Sequence, residues 1–187
     1  MAYDKKTFLK SVTVICDTRE QKNEHILKEF DRMNVKYITD KSLPFGDYSF
    51  IVQDRDFSLS CVIERKANIN EFYSNITSDR DRIEKEFSAA SALSKEFILI
   101  IENCGSEQEL EAYEVPDWEM KRFNRTVKDI GKYCYATIQS WKRSNKYNFS
   151  ETYVKDNSQT AIKILETFYW YWRNFKILTA SRRNRKG

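Results

Sequence analysis

The segment 47–66 reads Asp-Tyr-Ser-Phe-Ile-Val-Gln-Asp-Arg-Asp-Phe-Ser-Leu-Ser-Cys-Val-Ile-Glu-Arg-Lys. Two strand-like runs, 47–53 and 57–66, flank a polar turn and predict a β-hairpin. Folding the hairpin about the middle of this turn places Asp47 opposite Ile63 or Glu64. Facing side chains of antiparallel strands have Cβ atoms about 4.5–5.5 Å apart. The hairpin therefore predicts that the carboxylate of Asp47 lies beside the end of the second strand.

The second strand ends with three ionisable residues. Because side chains of a strand alternate between its faces, Glu64 and Lys66 share one face and Arg65 points to the other. Asp47, Glu64 and Lys66 then converge, with two carboxylates to hold Mg²⁺ and a lysine to orient water or stabilise a phosphate. This arrangement predicts metal-dependent hydrolysis of phosphodiesters. The alternative is an exposed hairpin whose charges lie on a solvated face.

Three segments carry a closer resemblance: Ile15-Cys16-Asp17-Thr18-Arg19-Glu20, Leu43-Pro44-Phe45-Gly46-Asp47-Tyr48 and Val62-Ile63-Glu64-Arg65-Lys66. They resemble the nuclease domain of the XPF family of structure-specific endonucleases, within the PD-(D/E)XK nuclease superfamily. The resemblance covers roughly residues 11–175 and includes Arg82 and Glu86 at a familiar spacing. It implies an α/β fold, a restriction-endonuclease-like α/β/α sandwich with a mixed central sheet. The alternation of strands and helices along the chain favours the same architecture.

The resemblance also implies roles for individual residues. Asp47 and Glu64 would be metal ligands, Asp17 would lie beside the metal as a further ligand, and Lys66 would be the catalytic lysine. Arg19 and Arg65 would support the site or contact phosphate. The implied cofactor is Mg²⁺, with Mn²⁺ able to substitute for it.

One position departs from the family pattern. Asn70 stands four residues after Lys66, where the family has an Asp. An Asn keeps a carbonyl oxygen but lacks the negative charge. We expect the change to weaken a contact at the periphery of the metal site rather than to abolish activity.

The remaining sequence predicts alternating helices and strands. Strands are expected at Ser11–Cys16, Val35–Thr39, Phe97–Glu102 and Phe149–Val154, and helices at 22–34, 70–94, 121–145 and from Asn157 or Ser158 onward. The acidic segment 105–119 is expected to be a loop or a short helix. We predict one nuclease domain over 1–175 and a basic, disordered tail over 176–187.

The composition indicates a soluble protein. The chain has 187 residues, enough for one domain with a substantial core. It has no run of eighteen apolar residues and no apolar signal-peptide core, and its four cysteines are far apart in the sequence. We therefore predict free thiols and no membrane association in an intracellular protein, cytoplasmic or nucleoid-associated. A minimal nuclease of this kind would suit a phage or another mobile element.

The stretch 120–147 contains eight basic residues and one acid. Aromatic residues are interleaved with them: Phe123, Tyr133, Tyr135, Trp141 and Tyr147. This mixture suits phosphate contact and base stacking. The alternative is that the aromatics are buried faces of helices whose solvated sides are basic.

The run 168–172 is aromatic on every side of its predicted helix. Exposed apolar surface usually marks an interface, so a homodimer or a partner subunit is expected there; the alternative is a buried helix. The sequence as a whole predicts a metal-dependent DNA endonuclease that acts on branched or flapped DNA. The alternatives are a catalytically silent DNA-binding or scaffold subunit and a nuclease-like restriction enzyme or junction resolvase.

Overall fold

The structure, a computed structural model, describes residues 5–122 and 126–184, and its side chains through Ser181. In this part of the chain one mixed sheet contains seven strands: β1 Val12–Cys16, β2 Lys36–Ile38, β3 Tyr48–Val52, β4 Arg55–Asp56, β5 Cys61–Lys66, β6 Glu96–Glu102 and β7 Ser150–Val154. The helices are α1 Lys5–Ser11, α2 Glu24–Arg32, α3 Ile69–Thr77, α4 Arg80–Leu93, α5 Glu107–Glu111, α6 Asp117–Arg122, α7 Ile130–Arg143 and α8 Thr160–Asn184, the last preceded by a 3₁₀ turn, Asn157–Gln159.

Two apolar cores, one on each face of the sheet, make the fold an α/β/α sandwich, as predicted. Helices α1, α2 and α8 cover one face, and α3, α4 and α7 cover the other. Strand β6 shows how the sequence supplies both cores, since Ile98 and Ile100 pack on the first face and Leu99 and Ile101 on the second. A strand that is covered on both sides needs apolar residues at consecutive positions.

The order of the strands is β2-β1-β3-β5-β6-β7, with β4 paired to the end of β3. Strand β3 is antiparallel to β1 and β5, whereas the pairs β1–β2, β5–β6 and β6–β7 are parallel. The carboxyl ends of β1, β5 and β6 therefore meet the amino end of β3 at one edge of the sheet. All the predicted site residues of these strands lie at that edge.

The predicted hairpin is present with one modification. Tyr48 pairs with Ile63, so Asp47 comes opposite Glu64, one of the two predicted positions. The second strand begins at Cys61 rather than at residue 57. The reason is a polar turn in which the Asp56 carboxylate accepts from the main-chain amide of Ser58 at 2.7 Å, while β4 pairs back onto β3.

The predicted helix 70–94 is two helices, because α3 ends at Thr77 and α4 begins at Arg80. The Thr77 hydroxyl donates back to the main-chain carbonyl of Tyr73 at 2.7 Å, and Asp79 has a non-helical backbone. Short polar side chains of this kind compete with the helix for main-chain hydrogen bonds. Helix α1 was not predicted from the sequence, although its Phe8 is fully buried.

Other boundaries also differ from the sequence prediction. Helix α7 begins only at Ile130, the acidic segment forms the short helices α5 and α6, and residues 123–125 lie outside the described residues. Helix α8 continues through Asn184, so the described part of the predicted disordered tail is helical. Residues of high helix propensity in this segment, among them Leu178 and Ala180, favour the continuation of the helix. Among the described helices, none combines the length and apolar character that a membrane span requires.

Candidate active site

Asp47 lies between two strands at the edge of the sheet. Its main-chain N–H donates to the carbonyl of Ile63 at 2.8 Å, and its own carbonyl accepts from the N–H of Asp17 at 2.8 Å. The preceding Gly46 has φ +70°, a conformation that glycine adopts readily. Its N–H donates to Glu86 Oε1 at 2.9 Å. These hydrogen bonds fix the main chain at Asp47, immediately before β3, and with it the direction of the Asp47 side chain.

The structure brings Asp47, Glu64 and Lys66 together. Glu64 and Lys66 are 2% and 4% exposed, and Lys66 Nζ donates to Glu64 Oε1. The other oxygen, Glu64 Oε2, is buried and has no hydrogen-bond partner among the described residues. Asp47 is half-buried, and its Oδ2 accepts from the main-chain N–H of Arg65 at 2.7 Å. The cluster is thus an internal one rather than charges on a solvated face.

Burial and interactions with neighbouring charges shift the pKa values of this cluster. Burial, followed by repulsion from Glu20, raises the pKa of Asp47 to about 7, and Lys66 opposes the shift. Burial, followed by repulsion from Asp47, raises the pKa of Glu64 well above its ordinary value. Burial lowers the pKa of Lys66, but Glu64 and Asp47 outweigh it and raise that pKa above its usual range. A cation held between the carboxylates would relieve the repulsion.

Arg65 points to the opposite face of β5, as alternation predicts, where it is held by protein groups. Its guanidinium pairs with Glu20 and with Glu102, each at 2.7 Å, and Nη2 donates to the carbonyl of Gln21 at 3.3 Å. Arg65 is 4% exposed, so these protein groups enclose its guanidinium. Glu102 also contacts His25, with Nε2 2.9 Å from Oε1.

Sequence reasoning did not assign roles to Glu20, Glu102 or His25. Glu20 ends the first quoted motif and Glu102 ends the strongest predicted strand, so their places at the sheet edge were readable from the sequence. The sequence does not show that both carboxylates converge on Arg65, because their convergence depends on the order of the strands in the sheet.

Both carboxylate oxygens of Asp17 accept hydrogen bonds from protein groups. Its Oδ1 accepts from the N–H and Nε of Arg19 at 2.8 and 2.7 Å, and its Oδ2 accepts from Arg19 Nη2 and the N–H of Leu43. Burial raises the pKa of Asp17, but these hydrogen bonds outweigh burial and hold the pKa below its ordinary value. Within residues 5–122 and 126–184 no three acidic, histidine or cysteine side chains form a group able to hold a metal ion. The metal-binding roles of Asp47, Glu64 and Asp17 stay predictions.

A family model described as the ERCC4 domain matches residues 16–184. The chain belongs to the ERCC4-domain family. The resemblance seen in the sequence is thereby confirmed, and the match extends nine residues beyond the domain boundary predicted at 175.

Solved structures support the same fold for this ERCC4 domain. XPF from Aeropyrum pernix matches with a TM-score of 0.58 and 20% identity over 90% of this chain and 69% of that one. The same protein in complex with DNA matches with a TM-score of 0.57 and 19% identity over 87% of this chain and 66% of that one. No curated protein matches the sequence.

Asn70, the departure from the pattern, contacts a tyrosine of the ERCC4 domain. Its Nδ2 donates to the hydroxyl of Tyr113 at 3.0 Å. It lies in the first turn of α3, two residues after Asn68, which caps the helix by accepting from the N–H of Glu71 at 2.9 Å. The amide is thus ordered by a neighbouring hydroxyl.

Arg82 and Glu86 lie on α4 and form an i,i+4 ion pair at 3.6 Å. Because Glu86 also accepts from Gly46 N–H, this pair connects the helix of the ERCC4 domain to the residue before Asp47. The familiar spacing of the two residues thus has a structural explanation.

The four aromatic residues of the stretch 120–147 that the structure describes do not form one surface. Trp141 and Tyr147 are buried in the core, Tyr135 is partly buried against it, and Phe123 lies outside the described residues. Tyr133 is 44% exposed and packs edge-on against Tyr73. The alternative of a buried helix face is therefore correct for Trp141, whereas Tyr147 is buried in the turn that follows α7.

Proposed function

We propose that the chain is a metal-dependent DNA endonuclease that hydrolyses phosphodiester bonds in branched or flapped DNA. The observation that carries the proposal is the buried Glu64, whose Oε2 has no hydrogen-bond partner among the described residues, beside Asp47 and Lys66. Membership of the ERCC4-domain family supports it. So does the likeness to an XPF whose structure is described as a complex with DNA.

The residues present fit a divalent metal. An unpartnered buried carboxylate oxygen is rare in folded proteins. Burial raises the pKa of both carboxylates, and Asp47 raises that of Glu64 further. Asp47 and Glu64 would hold Mg²⁺, or Mn²⁺ in its place, through oxygen atoms. When bound, the ion supplies Lewis-acid polarisation of the phosphoryl oxygen and acidifies a bound water.

The other residues of the site have separate tasks in the proposed mechanism. Lys66 keeps its positive charge because Glu64 and Asp47 stabilise it, so it can orient the attacking water and stabilise negative charge on the phosphate. The Arg65 N–H holds Asp47 by its Oδ2. Arg19 has a side chain that is 62% exposed, so it can approach a phosphate while Asp17 anchors it.

Cleavage of labelled duplex, flap and fork DNA with Mg²⁺ or Mn²⁺ tests the proposal. The variants are Asp47→Ala and Lys66→Ala, with Asp54→Ala as a matched control, because Asp54 is an exposed acid at the far end of the same hairpin. We expect the first two to lose cleavage while DNA binding persists, and the control to cut like the wild type. A wild type that binds DNA but cuts nothing with either metal would refute the nuclease proposal.

A second candidate function is a catalytically silent DNA-binding or scaffold subunit. The observation that favours it is Asn70, which supplies no charge to the site and whose amide is engaged by Tyr113. Binding of flap DNA without cleavage by the isolated chain, followed by stimulation of a nuclease partner, would establish this function.

The exposed apolar part of α8 supports a proposal about assembly. Phe168 and Trp172 are buried, whereas Trp170, Ile177 and Leu178 are 53%, 46% and 61% exposed. Positions 170 and 177 are two helical turns apart on one face. We propose that a second copy of the chain covers this face, and light scattering of the wild type and of Trp170→Lys tests it. A wild-type monomer at high concentration would contradict the proposal.

The proposed location is intracellular. All four cysteines are free and buried, which suits a reducing compartment.

A further inference from the structure

His25 is the chain's single histidine and lies in the first turn of α2. It is half-buried, and its Nε2 lies 2.9 Å from Oε1 of Glu102, which ends β6 and is 1% exposed. An ionised carboxylate can only accept hydrogen bonds. The contact therefore assigns the proton to Nε2, which donates to Glu102.

Glu102 connects this histidine to the hairpin formed by residues 47–66. Its second oxygen, Oε2, accepts from Arg65 Nη1 at 2.7 Å. The main-chain N–H of the same Arg65 donates to Asp47 Oδ2, also at 2.7 Å. Three hydrogen bonds thus connect His25 with the proposed metal ligand Asp47 through Glu102 and Arg65. The side chain of Arg65 lies on the face of β5 opposite Glu64 and Lys66.

The charges around Arg65 explain why Glu102 needs a second donor. Glu20 and Glu102 share one guanidinium in a buried environment, and Glu20 also accepts from the hydroxyl of Tyr48 at 3.2 Å. A buried carboxylate is costly unless its oxygens are hydrogen-bonded. With His25 on Oε1, only Oε2 of Glu102 is directed at Arg65. Without His25, Glu102 could turn to offer both oxygens to the guanidinium and draw Arg65 away from Glu20.

We infer that His25 is a positioning residue for the proposed nuclease site. It fixes Glu102, Glu102 fixes the guanidinium of Arg65, and the ordered Arg65 presents its main-chain N–H to Asp47. His25 itself touches neither substrate nor metal in this scheme. The inference rests on the proposed function only for its activity readout.

Steady-state cleavage by three variants tests the inference. His25→Leu removes the donor, His25→Gln keeps an amide N–H at similar reach, and Lys28→Leu is a control at an exposed position one turn further along α2. Assays are run at a temperature at which urea titrations show every variant folded. Loss of a supporting hydrogen bond behind a metal site typically costs about 10–100-fold.

We expect His25→Leu to lower kcat about tenfold with little change in KM, and His25→Gln to retain most of the wild-type kcat. A His25→Leu variant with the same kcat as the Lys28→Leu control would overturn the inference. So would a Gln variant as impaired as the Leu variant, because the hydrogen bond would then not be what matters.

A second readout does not require cleavage. The Nε–H and main-chain N–H signals of Arg65 in NMR spectra report directly on its bonds to Glu20 and Asp47. We expect both signals to shift in His25→Leu and neither in Lys28→Leu; unmoved signals would overturn the inference. If the wild type cuts no DNA, the proposed function fails, and these signals alone decide whether His25 positions Arg65.

Discussion

Arg65 donates its main-chain N–H to Asp47 Oδ2 at 2.7 Å while its buried guanidinium joins Glu20 and Glu102. One residue thus holds the proposed metal ligand with its backbone and anchors the sheet edge with its side chain. The neighbours of Arg65, Glu64 and Lys66, are directed to the opposite face of β5. Three consecutive ionisable residues therefore make contacts on two different faces of the sheet.

The raised pKa of Asp47 predicts how stability depends on pH. The pKa is about 7 in the native state, against an ordinary value of 3.8. Between these values the native state keeps a proton that the unfolded chain has released, so the contribution of Asp47 is complete at low pH and is lost as pH rises through 7. We expect Asp47→Asn, which keeps an acceptor for Arg65, to gain stability relative to wild type from pH 4.5 to 8. Urea unfolding without metal measures the difference. A difference that is constant with pH would contradict the assignment.

The Glu64–Lys66 pair predicts a strong coupling. Lys66→Met leaves the Glu64 carboxylate buried without its cation, and breaking a buried pair typically costs about 3–5 kcal/mol. We expect the double variant Glu64→Gln/Lys66→Met to be more stable than Lys66→Met alone. Urea unfolding in the presence of a chelator provides the double-mutant cycle. Additive effects would show that the two side chains do not interact.

Gly46 predicts a large effect of one methyl group. A Cβ there would lie 2.4 Å from Val62 Cγ1 and 3.0 Å from the Ile63 carbonyl oxygen, at φ +70°. We expect Gly46→Ala to lose at least about 1–2 kcal/mol of unfolding free energy from backbone strain alone and to lose cleavage as Asp47 is displaced. Gly105→Ala is the matched control, because its Cβ would approach only the flexible ends of Glu109 and Lys155. Equal stability of the two variants would refute the explanation.

Restoring the family's Asp at position 70 is expected to strengthen the response of cleavage to Mg²⁺. Asn70→Asp adds a negative charge in the first turn of α3, close to the hairpin. The Tyr113 hydroxyl, which accepts from Asn70 Nδ2, can donate to the new carboxylate instead. We expect the Mg²⁺ concentration for half-maximal cleavage to fall several-fold, because the added charge attracts the cation. The rate of flap-DNA cleavage, measured over a series of Mg²⁺ concentrations, gives this half-maximal concentration. Asn70→Ala, which removes the contact without adding charge, should not show this fall, and a fall in both variants would contradict the electrostatic explanation.

The hairpin was predictable because its information is local. Period-two alternation placed Glu64 and Lys66 on one face, and counting from the turn placed Asp47 at their strand end. The partners of Arg65 were not predictable, since Glu20 and Glu102 reach it only through the order β1-β3-β5-β6. The metal role predicted for Asp17 came from resemblance, whereas its carboxylate is directed to Arg19 and Leu43 by hydrogen bonds that periodicity does not report.

Strand β5 carries three ionisable side chains that are 2–4% exposed, between an antiparallel neighbour, β3, and a parallel one, β6. Two helices separate the parallel neighbour from β5 along the chain, so this pairing closes a long loop and costs entropy before its contacts form. Glu64, Arg65 and Lys66 therefore lose their water only when the sheet closes around them. We therefore expect a chain in which β5 and β6 are unpaired to lack the assembled acidic site.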